Sequence, residues 1–394
     1  MQLSFCKNVI SIIKSAMTKQ PLDLPEVVDL EEIYKFGQSA QILPLLYHGL
    51  QAMPNLFDTL IGLKFFKSSM NYANLAEMQM KELEKVCKAL DDKEVSYMKL
   101  KGSIIKRYYE CPEMRTMGDA DILIKLDERE KLQKACEEIG YFQVSETDHE
   151  LIYESEEKKL SIEFHKWLIP SYNKDFYEYF GIGWDFAKKV EGKNSEYEMS
   201  DEDFFVYIFA HFAKHYRDSG VGIKYITDFY LVKKFKPDLD FEYINEKFEK
   251  LQILKFWNNI NRLLDVWFND KESDEVVDYL TVKMFGSKTF GDETHRFKSN
   301  ALKDTNAGKS KFWLKLKHLW NMVFLPYKSM KLIYPSLEKA PYLLPFMWIR
   351  RWIEVLLFRR KNIKQNMKNI RSINEKEINE HKNELIFVGL DYNF

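Results

Sequence analysis

MKLKGSIIKRYYECPEMRTMGDADIL, residues 98–123, holds the two features around which the rest of this chain is arranged. The first is the apolar run Val95–Leu100, which ends in a Gly-Ser turn and predicts a short strand leading into a helix. The second is Asp-Ala-Asp at 119–121, followed at once by the apolar residues 122–124, which predicts another strand. We therefore expect two adjacent strands, one ending in a turn and one beginning with two acids.

The two acids are predicted to lie side by side. Side chains alternate along a strand, so Asp119 and Asp121 share one face while Ala120 and Ile122 point to the other. Neighbouring carboxylates repel each other, and a divalent cation with oxygen ligands relieves that repulsion. An isolated Asp-x-Asp is also typical of a turn before a strand, but the upstream Gly-Ser turn and a later acid favour a metal site.

The Gly-Ser turn is predicted to seat phosphate. A turn that opens a helix offers free backbone N–H groups and the positive end of the helix dipole. Gly102 allows close approach of the backbone, and the Ser103 hydroxyl adds a donor, so we place both under the β- and γ-phosphates of a nucleoside triphosphate. Lys101 and Arg115 are the nearby cations, and Arg115 has the guanidinium geometry for clasping phosphate.

A third acid follows on a later strand. In the predicted strand Leu160–Trp167, Glu163 and His165 point to one face while Ile162 and Phe164 point to the other. An acid in a central strand is costly unless it is paired or bound to a metal, although an exposed acid on an edge strand is an alternative. The predicted metal ligands and catalytic acids are Asp119, Asp121 and Glu163.

These motifs resemble a known family. LKGS, MRTMGDADILI, SIEFHKWLIP and the predicted helix DEDFFVYIFAHFAKH together are similar to the uncharacterised nucleotidyltransferases of bacteria, within the polymerase-β-type superfamily. The gap between Ser103 and Asp119 is longer than in the compact form of the motif. The resemblance implies an α+β fold in which a small mixed β-sheet, the palm, carries helical domains on its N-terminal and C-terminal sides.

The resemblance also implies a reaction. A nucleoside monophosphate would pass from a nucleoside triphosphate, ATP being the expected one, to a hydroxyl-bearing acceptor with release of pyrophosphate, using Mg²⁺ (or Mn²⁺). The acceptor is left open between a protein side chain, a small molecule, a sugar and an RNA end. Two alternatives stay open: a metal-dependent glycosyltransferase using a sugar nucleotide, and a non-catalytic nucleotide-binding or scaffold protein. The first needs a Rossmann-like run ahead of the acids, where this sequence predicts helices.

A helix further along the chain carries cations. His211, Lys214 and His215 have the spacing of one helical face, and the resemblance implies that this face borders the nucleotide. It gives Lys214 and His215 a phosphate- or acceptor-contacting role, with Asp228 orienting one of these cations. The pair of histidines lacks the HExxH glutamate of metalloproteases, and a plain surface helix is an alternative. His165 is either a partner of the metal site or a polar residue at the sheet rim.

Composition bounds the class of protein and its regions. With 394 residues, 45% hydrophobic and 30% charged, the chain has ample material for a core. Four scattered cysteines indicate neither a disulfide framework nor a zinc site, which favours a reducing cytoplasm. No uncharged apolar run approaches the ~20 residues of a membrane span. The predicted regions are an N-terminal helical region 1–93, the palm 94–170, a helical domain 171–285, and a linker with a basic helical tail 286–394.

Further elements follow from periodicity. Residues 63–90 predict a long helix whose stripe, including Phe66, Met70, Val86 and Leu90, packs against the sheet. Residues 151–153 and 160–167 predict a hairpin joined by a charged turn.

The tail is strongly basic. Between Lys309 and Arg371 there are fifteen Lys or Arg residues and two acids. Aromatic residues interleave with these cations, as in Trp348–Trp352, WIRRW. An anionic membrane surface, a nucleic acid and the acidic remainder of the same chain are all possible partners. The apolar character of residues 341–358 favours a peripheral membrane contact over nucleic acid.

Overall fold

The computed structural model describes residues 2–24, 28–157, 160–287, 299, 320, 323–338, 340–358 and 375–390. The chain divides into two compact units: residues 1–216, 220–290 and 388–391 form the larger, and residues 217–219, 291–387 and 392–394 form the smaller. Most of the predicted linker after residue 287 and much of the basic tail lie outside the described residues.

The larger unit begins with helices, as the sequence predicts. They are α1 (Leu3–Thr18), α2 (Leu30–Ser39), α3 (Leu43–Leu50) and α4 (Leu60–Asp92). Two of them start at a side-chain cap: Asp29 accepts from the amides of Glu31 and Glu32, and Thr59 accepts from Gly62. Among the described residues ahead of the acids there is no parallel βαβ run, which counts against the glycosyltransferase alternative.

The buried face of α4 differs from the predicted stripe. Phe66 and Met70 are 43% and 38% exposed, so that half of the prediction is wrong. The first half of α4 contacts α3 and the turn before it, which buries Phe65 instead. The second half packs on the sheet through Val86 and Leu90, as expected. Over its 33 residues α4 packs first against α3 and then against the sheet, so a different face of the helix is buried in each half.

In the part of the chain that the structure describes, seven strands form one mixed sheet. They are β1 (Tyr97–Lys99), β2 (Asp119–Ile124), β3 (Tyr141–Glu146), β4 (Glu150–Ser155), β5 (Ser161–His165), β6 (Lys188–Lys189) and β7 (Glu196–Glu198). Their order is β3-β4-β5-β2-β1-β7-β6. The pairs β2–β5 and β1–β7 are parallel, and the others are antiparallel. The predicted α+β class with a mixed sheet is confirmed.

The sheet is wider than the sequence predicts. Strands β1, β2, β4 and β5 were expected, whereas β3, β6 and β7 were not. β3 lies at an edge and exposes Phe142 and Val144, so it lacks a clear buried alternation. β7 is ordered by pairing with β1, which lies about a hundred residues earlier in the chain. Edge strands of this kind depend on partners that local sequence does not identify.

The larger unit contains further helices after β1. They are α5 (Gly102–Ile105), α6 (Arg129–Glu138), α7 (Lys174–Phe180), α8 (Asp201–Asp218), α9 (Lys224–Phe235), α10 (Phe241–Lys250), α11 (Leu254–Phe268) and α12 (Glu275–Gly286). Ser200 caps α8 by accepting from the amide of Asp203 at 3.1 Å. Phe205 and Phe209 of α8 pack against Trp257 of α11 with ring centroids 5.2 and 5.1 Å away. This aromatic core positions the polar face of α8.

The smaller unit contains described helices at Tyr327–Ile333 and Leu344–Phe358 and most of a third at Glu375–Val388. The Trp348 indole donates to the carbonyl of Leu325 at 2.9 Å, so one of the predicted tail aromatics is engaged within this unit. In the part of the chain that the structure describes, no helix combines the length and the apolar character needed to cross a bilayer.

Candidate active site

The three predicted acids meet on one face of the sheet. Parallel pairing of β2 with β5 places Asp121 directly opposite Glu163. Ala120 and Ile122 of β2, like Ile162 and Phe164 of β5, point the other way into the core under α4. One oxygen of Asp121, one of Glu163 and a ring nitrogen of His165 all lie within 4.8 Å of one another. Asp119 lines the same cleft.

The three acids differ in the direction in which their pKa values are shifted. Burial, followed by the carboxylates of Asp119 and Asp121, raises the pKa of Glu163 to about 8. Burial and the neighbouring Asp121 also raise the pKa of Asp119. Burial would raise the pKa of Asp121 too, but the Lys101 ammonium and the hydrogen bond from His165 outweigh it and hold that pKa below its usual range. Asp119 and Glu163 are therefore harder to ionise than free carboxyl groups, whereas Lys101 and the hydrogen bond from His165 keep Asp121 in its charged form.

Lys101 is the cation that neutralises Asp121. Its Nζ lies 2.9 Å from Asp121 Oδ1. Its backbone has φ 41° and ψ −114°, a conformation that a residue with a side chain rarely adopts. The turn after β1 keeps the Lys101 backbone in this strained conformation, which directs the Lys101 ammonium group toward Asp121. Lys101, predicted as a phosphate contact, thus has a carboxylate partner in this structure.

Two histidines continue this network away from Asp121. His165 Nε2 lies 2.6 Å from Asp121 Oδ1, and its Nδ1 lies 3.0 Å from Nε2 of His149. Burial, with His165 next, lowers the pKa of His149 to about 2. Sequence reasoning left His165 open and missed both His149 and Glu150, which lies opposite His165 in the pairing of β4 with β5. The only sequence signal for them was the predicted hairpin.

Arg115 is held by an acid from a distant helix. Its Nε and a terminal nitrogen donate to the two oxygens of Asp228 on α9 at 2.9 and 2.8 Å. The Tyr109 hydroxyl donates to Asp228 Oδ1 at 2.8 Å. The predicted partner for Asp228 was a cation of α8, whereas here its carboxylate binds Arg115. The long gap between Ser103 and Asp119 carries both Tyr109 and Arg115.

Gly102 makes room for this guanidinium. A Cβ atom on Gly102 would lie 2.6 Å from a terminal nitrogen of Arg115. The Ser103 hydroxyl donates to the carbonyl of Leu100 at 2.7 Å, and Ser103 lines a separate cavity rather than the cleft of the acids. Of the predicted Gly-Ser pair, only Gly102 therefore borders this cleft.

Helices α8 and α9 supply the opposite wall. His211, Lys214 and His215 of α8 line the cleft, and the two histidine Nε2 atoms lie 3.1 Å apart. Lys224 of α9, missed by sequence reasoning, lines it as well. Burial, then Arg115, lowers the pKa of Lys224 to about 8. Its position after a glycine-rich break offered no motif from which to predict it.

The cleft has a volume of about 600 Å³ and lies wholly within the larger unit. The sheet wall is acidic, and the helical wall, together with Arg115, is basic. Trp167 and Tyr172 line its rim, and Tyr172 is 71% exposed. A cavity of this size and polarity suits a ligand that carries both phosphate groups and a flat ring system.

Gly102 and Gly118, which both line the cleft, form a matched test of this packing. In Gly102→Ala the new methyl group displaces a guanidinium held at two points by Asp228, so we expect a loss of about 1–3 kcal/mol in the free energy of unfolding. A Cβ on Gly118 meets nothing within 4 Å. Gly118→Ala is therefore expected to be neutral or to stabilise by about 0.4–1 kcal/mol. Urea unfolding of both variants measures the difference, and equal effects would contradict the packing argument.

A mixed sheet that gathers acids on one face, opposite cationic helices, defines a palm of the nucleotidyltransferase type. The chain belongs to the family described as uncharacterised nucleotidyltransferase, whose profile matches residues 26–269. The predicted family and the predicted enzyme class, nucleotidyltransferase, are thereby confirmed.

Comparison with curated proteins and with solved structures adds nothing to this assignment. A search of curated proteins finds no match. Among solved structures, the solution structure of antibiotic-resistance factor ANT(2'')-Ia aligns with a TM-score of 0.32 and 14% sequence identity, over 48% of this chain and 96% of that one. A similarity of this size supports no conclusion about the site.

Proposed function

We propose that this protein transfers a nucleoside monophosphate from a nucleoside triphosphate, with ATP as the first candidate, to an acceptor hydroxyl, and that Asp119, Asp121 and Glu163 hold Mg²⁺ or Mn²⁺. The observation that carries the proposal is the register of β2 with β5, which brings Asp121 and Glu163 together on a half-buried face. Buried like charges are costly unless a cation joins them. Carboxylate oxygens are the ligands that these ions prefer.

The basic wall is proposed to bind the triphosphate. Arg115, Lys214, His215 and Lys224 line the same cleft as the acids. Arg115 keeps its planar orientation because Asp228 binds it on one side, and Gly102 lets the main chain approach closely. Ser103 is left out of this proposal, because its hydroxyl donates to Leu100 and the residue lines the other cavity. Lys101 acts by orienting Asp121.

The chemistry is an in-line displacement. The acceptor oxygen bonds to the α-phosphorus, the bond from that phosphorus to the bridging oxygen breaks, and pyrophosphate leaves. The proton of the acceptor hydroxyl passes to solvent water, and the Glu163 carboxylate favours that loss. A bound divalent ion would supply charge neutralisation of the phosphate oxygens. Arg115 and the cations of α8 and α9 orient the leaving group.

The position of the radioactive label tests the reaction class. The purified chain is incubated with Mg²⁺, ATP labelled on the α- or the γ-phosphate, and fractions of small molecules, RNA and protein as acceptors. Nucleotidyl transfer moves the α-label to an acceptor and releases the γ-label in pyrophosphate. Transfer of the γ-label instead would reject the proposal, as would turnover of a sugar nucleotide without any turnover of the four nucleoside triphosphates.

Metal binding is testable without activity. Burial and the neighbouring acids disfavour the ionised form of Glu163, so the metal-free Glu163→Gln variant, which cannot ionise at this position, is expected to be at least as stable as the wild type. Mg²⁺ at a hundred times its Kd is expected to stabilise the wild type by about 2.7 kcal/mol and the variant much less. Thermal unfolding with EDTA or Mg²⁺ measures both effects. Glu154→Gln on β4, outside the cleft lining, is the control and should keep the full Mg²⁺ effect.

We also propose that the smaller unit contacts an anionic membrane surface. Phe346, Ile349 and Ile353 are exposed along one side of the helix Leu344–Phe358, and Arg350 is exposed beside them. Apolar side chains flanked by cations are typical of helices that lie in a membrane interface. Flotation of the full chain with vesicles of phosphatidylcholine, with and without phosphatidylserine, tests this contact. Binding that is absent in both, or that a nucleic acid supports instead, would overturn it.

A further inference from the structure

A second cavity lies on the other side of the sheet from the acids. Its volume is about 630 Å³, and its lining comes from the larger unit alone. Tyr97 of β1, which lines it, lies opposite Ile124 and belongs to the core beneath α4. Asp121 is three residues from Ile124 on the same strand and so faces the opposite side. A ligand in this cavity is therefore separated from the acids by the sheet.

The lining of this cavity combines apolar and charged side chains. The apolar ones include Leu83 and Cys87 of α4, Tyr97 of β1, Tyr109 and Met117. The volume and this apolar part of the lining suit the body of a small organic molecule.

One polar group here has no partner. Lys106 lines the cavity, is 4% exposed, and its Nζ makes no hydrogen bond to any residue that the structure describes. Lys99, by contrast, lies in the same lining with its Nζ 2.5 Å from a carboxylate oxygen of Glu196. Burial, with Arg115 next, lowers the pKa of Lys106 to about 8, so the side chain is still mainly charged at neutral pH. A buried ammonium without a partner is costly, and a ligand that supplies an anion removes that cost.

Charged side chains of both signs contribute to the lining. The acids Glu84, Asp91, Glu110 and Glu196 occur together with the cations Lys88, Lys99, Arg107 and Lys193, and Lys106 differs from these cations in being buried. A single acidic group suffices for Lys106, and the rest of the ligand contacts apolar side chains.

From this arrangement we infer a second ligand site, in which a small organic monoanion pairs its acidic group with Lys106 and packs its apolar body against Leu83 and Tyr97. The site is distinct from the nucleotide cleft and does not depend on the function proposed for that cleft.

The test uses the full chain and 4-phenylbutyrate, octanoate and benzoate as probes, with 4-phenylbutan-1-ol as a neutral analogue. Calorimetric titration is expected to show one site for at least one carboxylate and at least tenfold weaker binding of the alcohol. Lys106→Met keeps the length of the side chain and should weaken carboxylate binding at least tenfold. Lys88→Met, at an exposed cation of the same lining, should change it less than twofold.

A second variant separates loss of the site from loss of the fold. Leu83→Trp fills the apolar part of the cavity while Lys106 is retained, and it should also abolish binding. Circular dichroism identifies any variant that is unfolded. The inference is overturned if none of the three carboxylates binds the wild type, or if Lys106→Met binds them as tightly as the wild type does.

Discussion

Replacing Asp121 with Asn is expected to lower kcat/KM for nucleotidyl transfer by about a thousandfold. Asp121 is the acid at which the site converges: it lies opposite Glu163 and accepts from both Lys101 and His165. Its charge belongs to a proposed ligand of the metal ion that would neutralise the phosphate oxygens. Removing that charge therefore costs several kcal/mol in transition-state stabilisation. The Asn oxygen still accepts a hydrogen bond, so the variant should remain folded. Pyrophosphate release, with the acceptor found by α-labelling, measures the effect.

Asp127→Asn is the matched control for this experiment. Asp127 follows the same strand but is exposed and does not line the cleft. It should retain wild-type activity, whereas the double variant Asp119→Asn with Asp121→Asn should be no more active than Asp121→Asn. Substantial activity in the folded double variant would show that these acids are not the metal ligands.

Replacing Asp228 with Ala is expected to cause the largest loss of stability, about 3–5 kcal/mol in the free energy of unfolding. Asp228 is 1% exposed and binds both Arg115 and Tyr109. Its removal leaves a buried guanidinium without its charge partner, which costs far more than the loss of a contact between exposed groups. Urea unfolding monitored by tryptophan fluorescence and by circular dichroism measures the change.

Two further variants define the cause of that loss. Glu77→Ala breaks the exposed pair of Glu77 with Lys81 and should leave stability almost unchanged, because solvent screens such pairs. Asp228→Leu combined with Arg115→Met removes both charges and should cost less than the two single changes added together. Additive losses in that double variant would mean that Arg115 and Asp228 do not act as a pair.

The positions of the acids were predictable from the sequence because they depend on local geometry. Alternation along a strand is independent of the rest of the fold, so Asp119 and Asp121 share a face wherever that strand lies. The same rule placed Glu163 and His165 together. The helix α8 was predicted for a similar reason, since its pattern is local, and its cap at Ser200 also lies within one turn.

The partners of these residues were not predictable in this way. Arg115 meets Asp228 across 113 residues, and β7 pairs with β1 across a similar separation. Such contacts depend on how elements pack, which leaves no periodic trace in either segment. Phe66 on α4 shows the converse, because its apolar character predicted burial while the packing of α3 and the sheet selected other faces.

The sequence alone therefore determined the α+β class, the family and the acids that share each strand face. Only the tertiary structure decided that Glu163 lies opposite Asp121, that Lys101 is committed to Asp121, and that Ser103 faces away from the cleft. The physical reason is the range of the interactions. Strand alternation and helix caps act over a few residues, whereas strand register, buried ion pairs and cavities arise only when distant segments exclude water together.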